Sequence, residues 1–268
     1  MVVVDVVAGG RFLVAGDRLV LVESGDAPDG DRLFLGEDAD GTPYFAVAGL
    51  LSGGVTLRDA GDRLDEREGG LAATAVALAL WHARHGYAPA TGRLTTAKDG
   101  GWLRTDDGGE NVWPRTDPCV IVLVHDGAGG PDGRCLLGHN AAWATPGIRR
   151  FSCLAGFVEP GESAESAVVR EIAEEVGVAV DGITYVASQP WPFPSSLMLG
   201  FLARADPDQP VRADEVEITH ASWFTRRQIG EVLDGSPVVT DDGQRVGLPM
   251  NASIASFLVR YWLRAGPP

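Results

Sequence analysis

The segment "GFVEPGESAESAVVREIAEEVGV", residues 156 to 178, carries six glutamates. Glu171, Glu174 and Glu175 are spaced so that they become neighbours on the surface of a helix. Like charges at this spacing cost roughly 0.2–0.5 kcal/mol per pair in an isolated helix. Hard divalent cations prefer carboxylate oxygens, and a bound cation would remove the repulsion. The crowding of charge therefore predicts a metal site on this helix.

The same segment satisfies a longer pattern, G-x5-E-x7-R-E-U-x-E-E-x-G-U, in which U is an aliphatic residue. An acidic, solvated helix face is the other interpretation of the glutamates. That interpretation gives no reason for the spacing of Gly156, Glu162, Arg170 and Gly177. The full pattern resembles the Nudix box of pyrophosphohydrolases.

Within the box, the resemblance implies that Glu171 and Glu175 are metal ligands. Glu174 would be a further ligand or would help to activate water, since its role varies within the superfamily. Mg²⁺ or Mn²⁺ would bridge the phosphates of the substrate and lower the pKa of the attacking water. From the residues themselves, Arg170 is expected to pair with Glu162 and to hold the preceding loop against the helix.

By the same resemblance, the carbonyl of Ala155 and the side chain of Glu217 would complete the metal shell. Glu215 is close by in "DEVEITHASWF" and stays open as an alternative to Glu217. Ser163 is a candidate N-cap for the box helix, because a serine hydroxyl can accept from a free amide of the first turn.

The composition restricts the partners of the protein. Its 268 residues include 22 Lys and Arg against 37 Asp and Glu, a formal charge of −15. This balance argues against broad nucleic-acid binding, which needs positive charge to neutralise phosphates, but not against a small phosphate-bearing ligand. No apolar run approaches the ~20 residues that span a bilayer. The first residues also lack the basic region of a signal peptide, so we expect a cytoplasmic protein. Cys119, Cys135 and Cys153 have apolar neighbours, which predicts buried thiols.

The pattern of strands and helices divides the chain into three parts. Residues 1–86 alternate short β runs with turns and end in an alanine-rich helix, which predicts a small α+β domain. Residues 87–112 are rich in Gly, Thr and Asp and show little apolar periodicity. Residues 113–268 mix strands with helices on both sides, which predicts an α/β protein with an α/β/α sandwich and a mixed sheet.

A proline-rich segment, "SQPWPFPSS" at residues 188 to 196, follows the box. Its alternating prolines lack amide donors and cannot form an internal strand or a helix, which predicts a stiff extended loop. The loop carries Trp191 and Phe193, whose rings suit stacking on a flat heterocycle. From the loop alone, a polyproline ligand for a partner domain and simple core packing are the alternatives.

An SQPWPFPxS motif after the box is typical of the NADH pyrophosphatase group of Nudix enzymes, and the similarity covers most of the chain. "WPRTDPCVIVLV" resembles the entry into that group's Nudix domain, and "LPMNASIASFLVRYWL" resembles its closing helix. The resemblance implies cleavage of NAD(H) to NMN(H) and AMP, removal of NAD caps from RNA 5′ ends in some members, and a homodimer. Of the residues implied in dinucleotide binding, Trp113, Phe157 and Trp191 would stack on the nicotinamide. The full set is Trp113, Phe157, Gln189, Pro190, Trp191, Pro192, Phe193, Pro194, Ser195, Ser196 and Ala255.

Two other functions stay open. A Nudix hydrolase of ADP-ribose or another nucleoside diphosphate derivative would share the box, although the intact SQPWPFPxS motif speaks against it. A catalytically silent nucleotide sensor is the alternative from a different class. Such a sensor would be expected to have lost a box glutamate, and none is lost.

Residues 87–112 lie where relatives carry a four-cysteine zinc ribbon. The positions that match its cysteines are Ala88, Thr91, Thr105 and Gly108, none of which offers a thiolate. A structural zinc site needs four nitrogen or sulfur ligands, so we expect no structural zinc. Packing of apolar side chains is expected to hold the segment instead, with "KDGGW" as a hairpin turn. The side chains expected to pack are Tyr87, Leu94, Trp102 and Leu103.

Overall fold

A computed structural model describes residues 1–143 and 145–264, and the chain forms two compact units. The first unit contains residues 1–116 together with residues 190–196. The second contains residues 117–189 and the chain from Leu197 onward. The segment 87–112 thus belongs with the first unit, and the proline-rich segment is divided after Gln189. The proposed division into three parts stays a prediction.

The first unit packs a small sheet against a long helix. The sheet has the order β1-β5-β4, and apolar side chains such as Phe12 and Val76 fill the core between sheet and helix. Asp65 is the N-cap of the helix α2, and its side chain accepts from the amide of Glu68. Its elements are β1 (Val2–Val4), β2 (Val14–Ala15), β3 (Arg18–Leu19), β4 (Leu33–Glu37), β5 (Pro43–Ala48), α1 (Leu57–Ala60), α2 (Glu66–Arg84), β6 (Thr95–Lys98), β7 (Leu103–Asp106) and β8 (Asn111–Val112).

The strands β6, β7 and β8 form the ribbon segment, which is held by polar side chains. The Asp106 carboxylate accepts from Thr91 Oγ1 at 2.6 Å and from the amides of Gly108 and Glu110 at 2.9 and 2.8 Å. We call this group the Asp106 hub. Thr91 and Gly108 occupy two of the positions at which relatives carry zinc-binding cysteines. In this chain the Asp106 carboxylate joins these two positions, as a zinc ion would in the relatives.

A second polar contact joins the ribbon segment to α2. Arg104 donates to Thr95 Oγ1 at 2.7 Å and contacts His82 Nδ1 at 2.7 Å. Since arginine can only donate, His82 Nδ1 is the acceptor and Nε2 carries the hydrogen. Nε2 in turn donates to the carbonyl of Gly101 at 2.8 Å.

The expected apolar packing of this segment is only partly present. Leu103 is buried, and "KDGGW" does form the turn between β6 and β7, where Lys98 pairs with Leu103. The prediction was wrong for Tyr87 and Leu94, both 65% exposed. Trp102 is also partly exposed, and its indole donates to the Phe34 carbonyl at 2.8 Å. The hydrogen bonds of Asp106 and Arg104 supply the cohesion that the prediction assigned to apolar contacts.

The second unit is a sheet with helices on its two faces. The strand order is β13-β14-β9-β10-β15, and β12 also pairs with β9. Its elements are β9 (Asp117–His125), β10 (Arg134–Asn140), β11 (Ile148–Arg150), β12 (Leu154–Phe157), α3 (Ala164–Val176), β13 (Asp181–Trp191), β14 (Ser196–Arg204), β15 (Ile218–Thr225), α4 (Arg226–Leu233), β16 (Arg245–Gly247) and α5 (Ile254–Arg264).

The strand β9 shows why helices cover both faces of this sheet. Successive side chains of a strand point to opposite faces. Val120 and Val122 lie in the core that includes Ile172 of α3, whereas Ile121 lies in the core that includes Leu258 of α5. A continuous apolar strand therefore sits between two helix layers. The predicted α/β class and α/β/α sandwich are confirmed.

The expected extended loop at "SQPWPFPSS" was wrong. The strand β13 runs to Trp191, and residues 192–195 form the turn into β14. Pro190 is tolerated in β13 because this strand lies at the edge of its sheet. Two neighbouring strands joined by a short turn must reverse direction, so the later prolines fall in a turn and not in an extended segment.

The three cysteines are free and buried, as predicted. Burial raises the pKa of the Cys119 and Cys153 thiols to about 12 in each case. None of the helices among residues 1–143 and 145–264 is long and apolar enough to cross a bilayer.

Candidate active site

Gly156 lets the box helix approach the sheet. It lies in β12, opposite Val120 of β9, and α3 packs against β12. A Cβ atom at this position would overlap the carboxylate of Glu171. The absence of a side chain at Gly156 is therefore what allows Glu171 to lie against the strand.

The box helix has defined ends. The hydroxyl of Ser163 accepts from the amide of Ser166, so the expected N-cap is present. The helix ends at Gly177, which adopts a left-handed conformation with φ of 69°. A glycine there satisfies the C-terminal turn without strain. These caps fix the register in which the box carboxylates face the sheet.

Arg170 supplies positive charge to the box. Its guanidinium donates to Glu162 at 2.5 and 3.2 Å and to the Phe157 carbonyl at 2.9 Å. It also lies 2.8 Å from Glu171 and 2.9 Å from Glu174. The expected pair with Glu162 is present, and its hydrogen bond to Arg170 lowers the pKa of Glu162. One arginine thus joins the loop, the end of β12 and two box carboxylates.

Glu175 is the box carboxylate that this arginine does not contact. It is 4% exposed, and within the described part of the chain its Oε2 has no hydrogen-bond partner. Burial raises the pKa of Glu175 to about 8, and the charges of Glu217 and Glu171 add to the effect. The amide of Ala155 opposes it. A buried carboxylate with an unsatisfied oxygen destabilises a fold, and a bound cation would stabilise its charged form.

Glu217 is the candidate for the distal carboxylate of this site. Burial raises the pKa of Glu171, and the charges of Glu174 and Glu217 add to the effect against the hydrogen bond from Arg170. Glu217 therefore lies near both Glu171 and Glu175, whereas Glu215 is not among the charges that act most strongly on either. These electrostatic effects favour Glu217 over Glu215, and its role as a metal ligand stays a prediction.

Glu174 lies further out than the sequence spacing indicated. Its side chain is 61% exposed and pairs with Arg170 four residues earlier on the helix. Its charge acts on Glu171 but is not among those that act most strongly on Glu175. We call Glu171, Glu175 and Glu217 the inner group of carboxylates, because the charge of Glu217 acts on both of the others. Glu217, like Glu174, is exposed.

The chemistry of the inner group fits a hard divalent cation. Its donors are carboxylate oxygens, which Mg²⁺ and Mn²⁺ accept, and one buried oxygen of Glu175 is unsatisfied. Among the described residues, however, no three His, Cys, Asp or Glu side chains already form a ligand set. Arg170 pairs with Glu171 and would have to release it to a cation.

Known proteins resemble this chain over nearly its whole length. The family model of the NUDIX domain matches residues 115–241. The NAD-capped RNA hydrolases NudC of Mycobacterium bovis and Mycobacterium tuberculosis are each 38% identical over 265 residues, 94% of this chain and 82% of their own. The NAD-capped RNA hydrolase NUDT12 of Homo sapiens is 41% identical over 216 residues, 76% of this chain and 44% of the human protein. This chain belongs to the NudC family of Nudix hydrolases.

Membership of the NudC family confirms the resemblance drawn from the box and from SQPWPFPxS. The residues implied in dinucleotide binding by Nudix enzymes of this kind are divided between the two compact units. Phe157, Gln189 and Ala255 belong to the second unit, and Trp113 and residues 190–196 belong to the first.

In the second unit, Phe157 is 54% exposed at the end of the Nudix β12 strand, beside the box. Ala255 lies on α5 and is buried in the hydrophobic core between this helix and the sheet. The side-chain amide of Gln189 donates to the Ala252 carbonyl and accepts from the Ile254 amide, both at 2.7 Å. Both polar ends of Gln189 are thus committed to the start of α5. Contact of these residues with a dinucleotide stays a prediction.

In the first unit, Trp113 is 61% exposed. The rings of Trp191 and Phe193 meet edge to face at 5.3 Å, and the Arg58 guanidinium lies over both, at 5.2 and 4.6 Å from their centroids. Phe193 also packs against the core of this unit. The other residues of the segment 190–196 differ in exposure. Pro192 and Ser196 are buried, Ser195 is partly buried, and Pro190 and Pro194 are exposed.

Arg58 is the residue of this Nudix protein that sequence reasoning missed. It lies in α1, far along the chain from the aromatic rings that it covers. Burial lowers the pKa of Arg58, which is consistent with a guanidinium held among rings. No motif surrounds it in the sequence, so no local signal could have found it.

Proposed function

We propose that this chain is a divalent-metal-dependent hydrolase of the NAD(H) diphosphate, giving NMN(H) and AMP, and that it removes NAD from the 5′ ends of capped RNA. The buried, unsatisfied carboxylate of Glu175 inside a complete Nudix box carries the proposal. No box glutamate is lost, which favours an enzyme over a silent sensor. The names of the relatives, NAD-capped RNA hydrolases, support the substrate.

The residues that would hold the cation are Glu171, Glu175 and Glu217, with the carbonyl of Ala155 as a further oxygen donor. When bound, a divalent cation polarises the diphosphate and lowers the pKa of a coordinated water. Glu175 is buried, and charge interactions are stronger in a buried setting than in water. Its ionisation is therefore favoured when a positive charge is present.

The remaining box residues prepare the site. Glu162 holds Arg170, which fixes the loop before α3 against the end of β12. Gly156 leaves the space in which the Glu171 carboxylate lies. Glu174 lies at the exposed side of the box helix, and we assign it the role of helping to activate the attacking water.

Recognition of the dinucleotide would use the exposed aromatic residues. Trp113 and Phe157 are large apolar side chains that are 61% and 54% exposed, and we assign them, with Trp191, to stacking on the nicotinamide. Phe193 is held by the core of the first unit and by Arg58. Its role in the proposal is to set the position of Trp191.

The proposal includes a homodimer and a cytoplasmic location. The homodimer follows from the sequence resemblance, and the location is the one expected from the sequence. Multi-angle light scattering of the purified chain tests the first, and fractionation of cells that express it tests the second.

The decisive experiment measures AMP or NMN release from NADH, NAD⁺, ADP-ribose and a NAD-capped RNA, with Mg²⁺, with Mn²⁺ and with EDTA. We expect metal-dependent cleavage of NADH and of the capped RNA, with ADP-ribose a poorer substrate. Preference for ADP-ribose would support the other Nudix function. Cleavage of none of the four by the wild-type chain with either metal would contradict the proposal.

A further inference from the structure

The turn that leads into β15 is built around the carboxylate of Asp214. Its Oδ1 accepts from the amides of Val216, Glu217 and Ile218 at 3.2, 3.1 and 2.8 Å. Its Oδ2 accepts from the Glu217 amide as well, at 3.2 Å. Successive backbone amides that converge in this way form a concave site for an anion, which here is a side chain of the same turn. We call residues 214–218 the Asp214 turn.

The backbone of the Asp214 turn includes one strained residue. Glu215 adopts a left-handed conformation with φ of 62°, which residues that carry a side chain seldom occupy. Its amide donates to the carbonyl of Ile218 at 3.1 Å and closes the turn. A short aspartate side chain can reach the amides of its own turn. The hydrogen bonds to Asp214 therefore stabilise a conformation that the strain at Glu215 disfavours.

The Asp214 turn is also bonded to the box helix. The amide of Asp214 donates to the carbonyl of Glu175 at 3.1 Å. Two residues earlier, the amide of Arg212 donates to the carbonyl of Val176 at 2.9 Å. Asp214 thus contacts the main chain of two residues of the inner group, Glu175 through its own amide and Glu217 through its carboxylate. One residue links the backbones from which these two carboxylates extend.

Glu217 depends on such backbone contacts for its position. Its carbonyl accepts from the amide of Ala141 at 2.9 Å, just after the end of β10. Because Glu217 is exposed, packing around its side chain does little to set the direction in which that side chain leaves the backbone. The hydrogen bonds to its amide and its carbonyl set that direction instead.

We propose that Asp214 is a positioning residue of the metal site, whose carboxylate holds the backbone of Glu217 so that the Glu217 side chain reaches the same cation as Glu175. This role rests on the function inferred above and on Glu217 as a metal ligand. Groups that hold a metal ligand in place contribute to metal affinity, and their loss commonly lowers it by about 10–100-fold. Asp214 differs from the usual case in that it acts on the backbone of the ligand.

The charge of Asp214 is a separate effect that the test must distinguish from positioning. Burial raises the pKa of Glu175, and the charge of Asp214 adds a smaller effect, so this charge acts on the site. Asparagine has no charge but keeps one acceptor oxygen, which can take the place of Oδ1 and its three amides. Alanine removes both the charge and the acceptor. Positioning therefore predicts a large effect of Asp214→Ala and a small effect of Asp214→Asn.

The first experiment measures binding of Mn²⁺ to the purified chain from the electron paramagnetic resonance signal of the free ion. We expect Asp214→Ala to raise the Kd of the tightest site by about tenfold or more. Asp214→Asn should raise it by no more than about threefold, the size of effect that one exposed charge has. Equal losses in the two variants, or an unchanged Kd in Asp214→Ala, would overturn the proposal.

A double-mutant cycle tests whether Asp214 acts through Glu217. In a Glu217→Gln background, Asp214→Ala should change the Kd for Mn²⁺ by no more than about twofold, because the ligand that it positions is already lost. Losses of affinity that simply add would contradict the proposal, since Asp214 would then act on the site by a route that does not include Glu217.

Asp206→Ala is the matched control. Asp206 is an exposed aspartate in the loop after β14, and its carboxylate accepts from the amide of Asp208, two residues later, at 2.9 Å. Its loss should leave the Kd for Mn²⁺ unchanged. A loss of affinity as large as that of Asp214→Ala would contradict a role specific to Asp214.

Hydrogen exchange of the metal-free protein tests the turn apart from the metal. Mass spectrometry of peptides that cover residues 214–220 should show faster exchange in Asp214→Ala than in Asp214→Asn or the wild type. Unchanged exchange would show that Asp214 does not hold the turn. A wild-type chain that binds Mn²⁺ but cleaves neither NADH nor capped RNA would end the proposed function alone, whereas one that binds no Mn²⁺ would end both.

Discussion

The side chain of Glu175 opposes folding and serves the site at the same time. It is buried beside two other carboxylates, and one of its oxygens has no partner among the described residues. The charged form of such a group is stabilised by a bound cation, since burial disfavours an unpaired charge. The loss of folding stability that the metal site requires is thus expected to come mainly from Glu175.

Glu175→Gln tests this view of the residue. Without divalent cations, the variant should melt at a higher temperature than the wild type, because an uncompensated buried acid becomes a neutral amide. With Mg²⁺, its hydrolysis of NADH should fall by orders of magnitude, and the stabilisation by metal should be lost. Differential scanning fluorimetry with and without Mg²⁺ measures both effects.

Glu174→Gln is the control for Glu175, since Glu174 is a largely exposed glutamate one position away. Its melting temperature without metal should stay equal to or slightly below that of the wild type, because only an exposed ion pair with Arg170 is lost. A rise as large as that of Glu175→Gln would show that general repulsion in the box, and not burial of Glu175, controls the stability.

The cysteines give a second test at the residue scale. With pKa values of about 12, the thiols of Cys119 and Cys153 are almost entirely protonated at pH 8, and only the thiolate reacts. Burial also raises the pKa of Cys135. Iodoacetamide should therefore label none of the three in the native protein at pH 8 and all three in guanidinium chloride. Mass spectrometry counts the labels, and rapid native labelling would contradict the buried positions.

At the scale of elements, the box could be predicted because its information is local. Spacing along one helix is enough to bring Glu171 and Glu175 together, and the caps at Ser163 and Gly177 are also visible in the sequence. The contact between Arg58 and the aromatic turn joins distant parts of the chain, and no local pattern encodes it. The prolines were interpreted correctly as excluding an internal strand, but the reversal of the chain was not visible.

The ribbon segment shows the same limit. The missing cysteines were evident, but the sequence could not show that Asp106 would contact Thr91 and the amide of Gly108. Apolar packing was predicted because leucine and aromatic residues were present. The structure uses polar hydrogen bonds, which depend on the pairing of β6 with β7.

Asp106→Asn tests whether the Asp106 hub stabilises the ribbon segment. The hydrogen bond from Thr91 and those from the backbone amides lower the pKa of Asp106 below its ordinary value of 3.8. A lowered carboxyl pKa contributes stability above the unfolded value that is lost as the pH falls through the folded value. The wild type should therefore melt above the variant at pH 7, and the difference should shrink as the pH approaches 3.

The same preparation tests the expectation about zinc. The wild-type chain should contain no stoichiometric zinc by mass spectrometry of metals, and EDTA should not change its melting temperature in a buffer free of other divalent cations. One tightly bound zinc per chain would contradict this expectation.

Thr96→Ala is a suitable control for Asp106→Asn, because Thr96 is an exposed side chain of the same hairpin with only a long hydrogen bond, at 3.4 Å.

At the scale of the whole molecule, the chain passes between its two compact units more than once. Residues 190–196 belong to the first unit, although the strand residues before and after them belong to the second. Phe193 packs against the core of the first unit and lies in the turn between β13 and β14. Unfolding of the first unit would therefore release the turn that joins two strands of the second.

This arrangement predicts that both units unfold together. Calorimetry should show one transition whose calorimetric and van't Hoff enthalpies agree. Phe193→Ala should lower the melting temperature of that single transition, at a cost below the ~3–5 kcal/mol of a fully buried phenylalanine, because the ring is only partly buried. Leu50→Ala is the control, since Leu50 is a largely exposed apolar residue of the first unit and its loss should change little. Two separate transitions, with Phe193→Ala shifting only one, would show that the segment 190–196 does not couple the units.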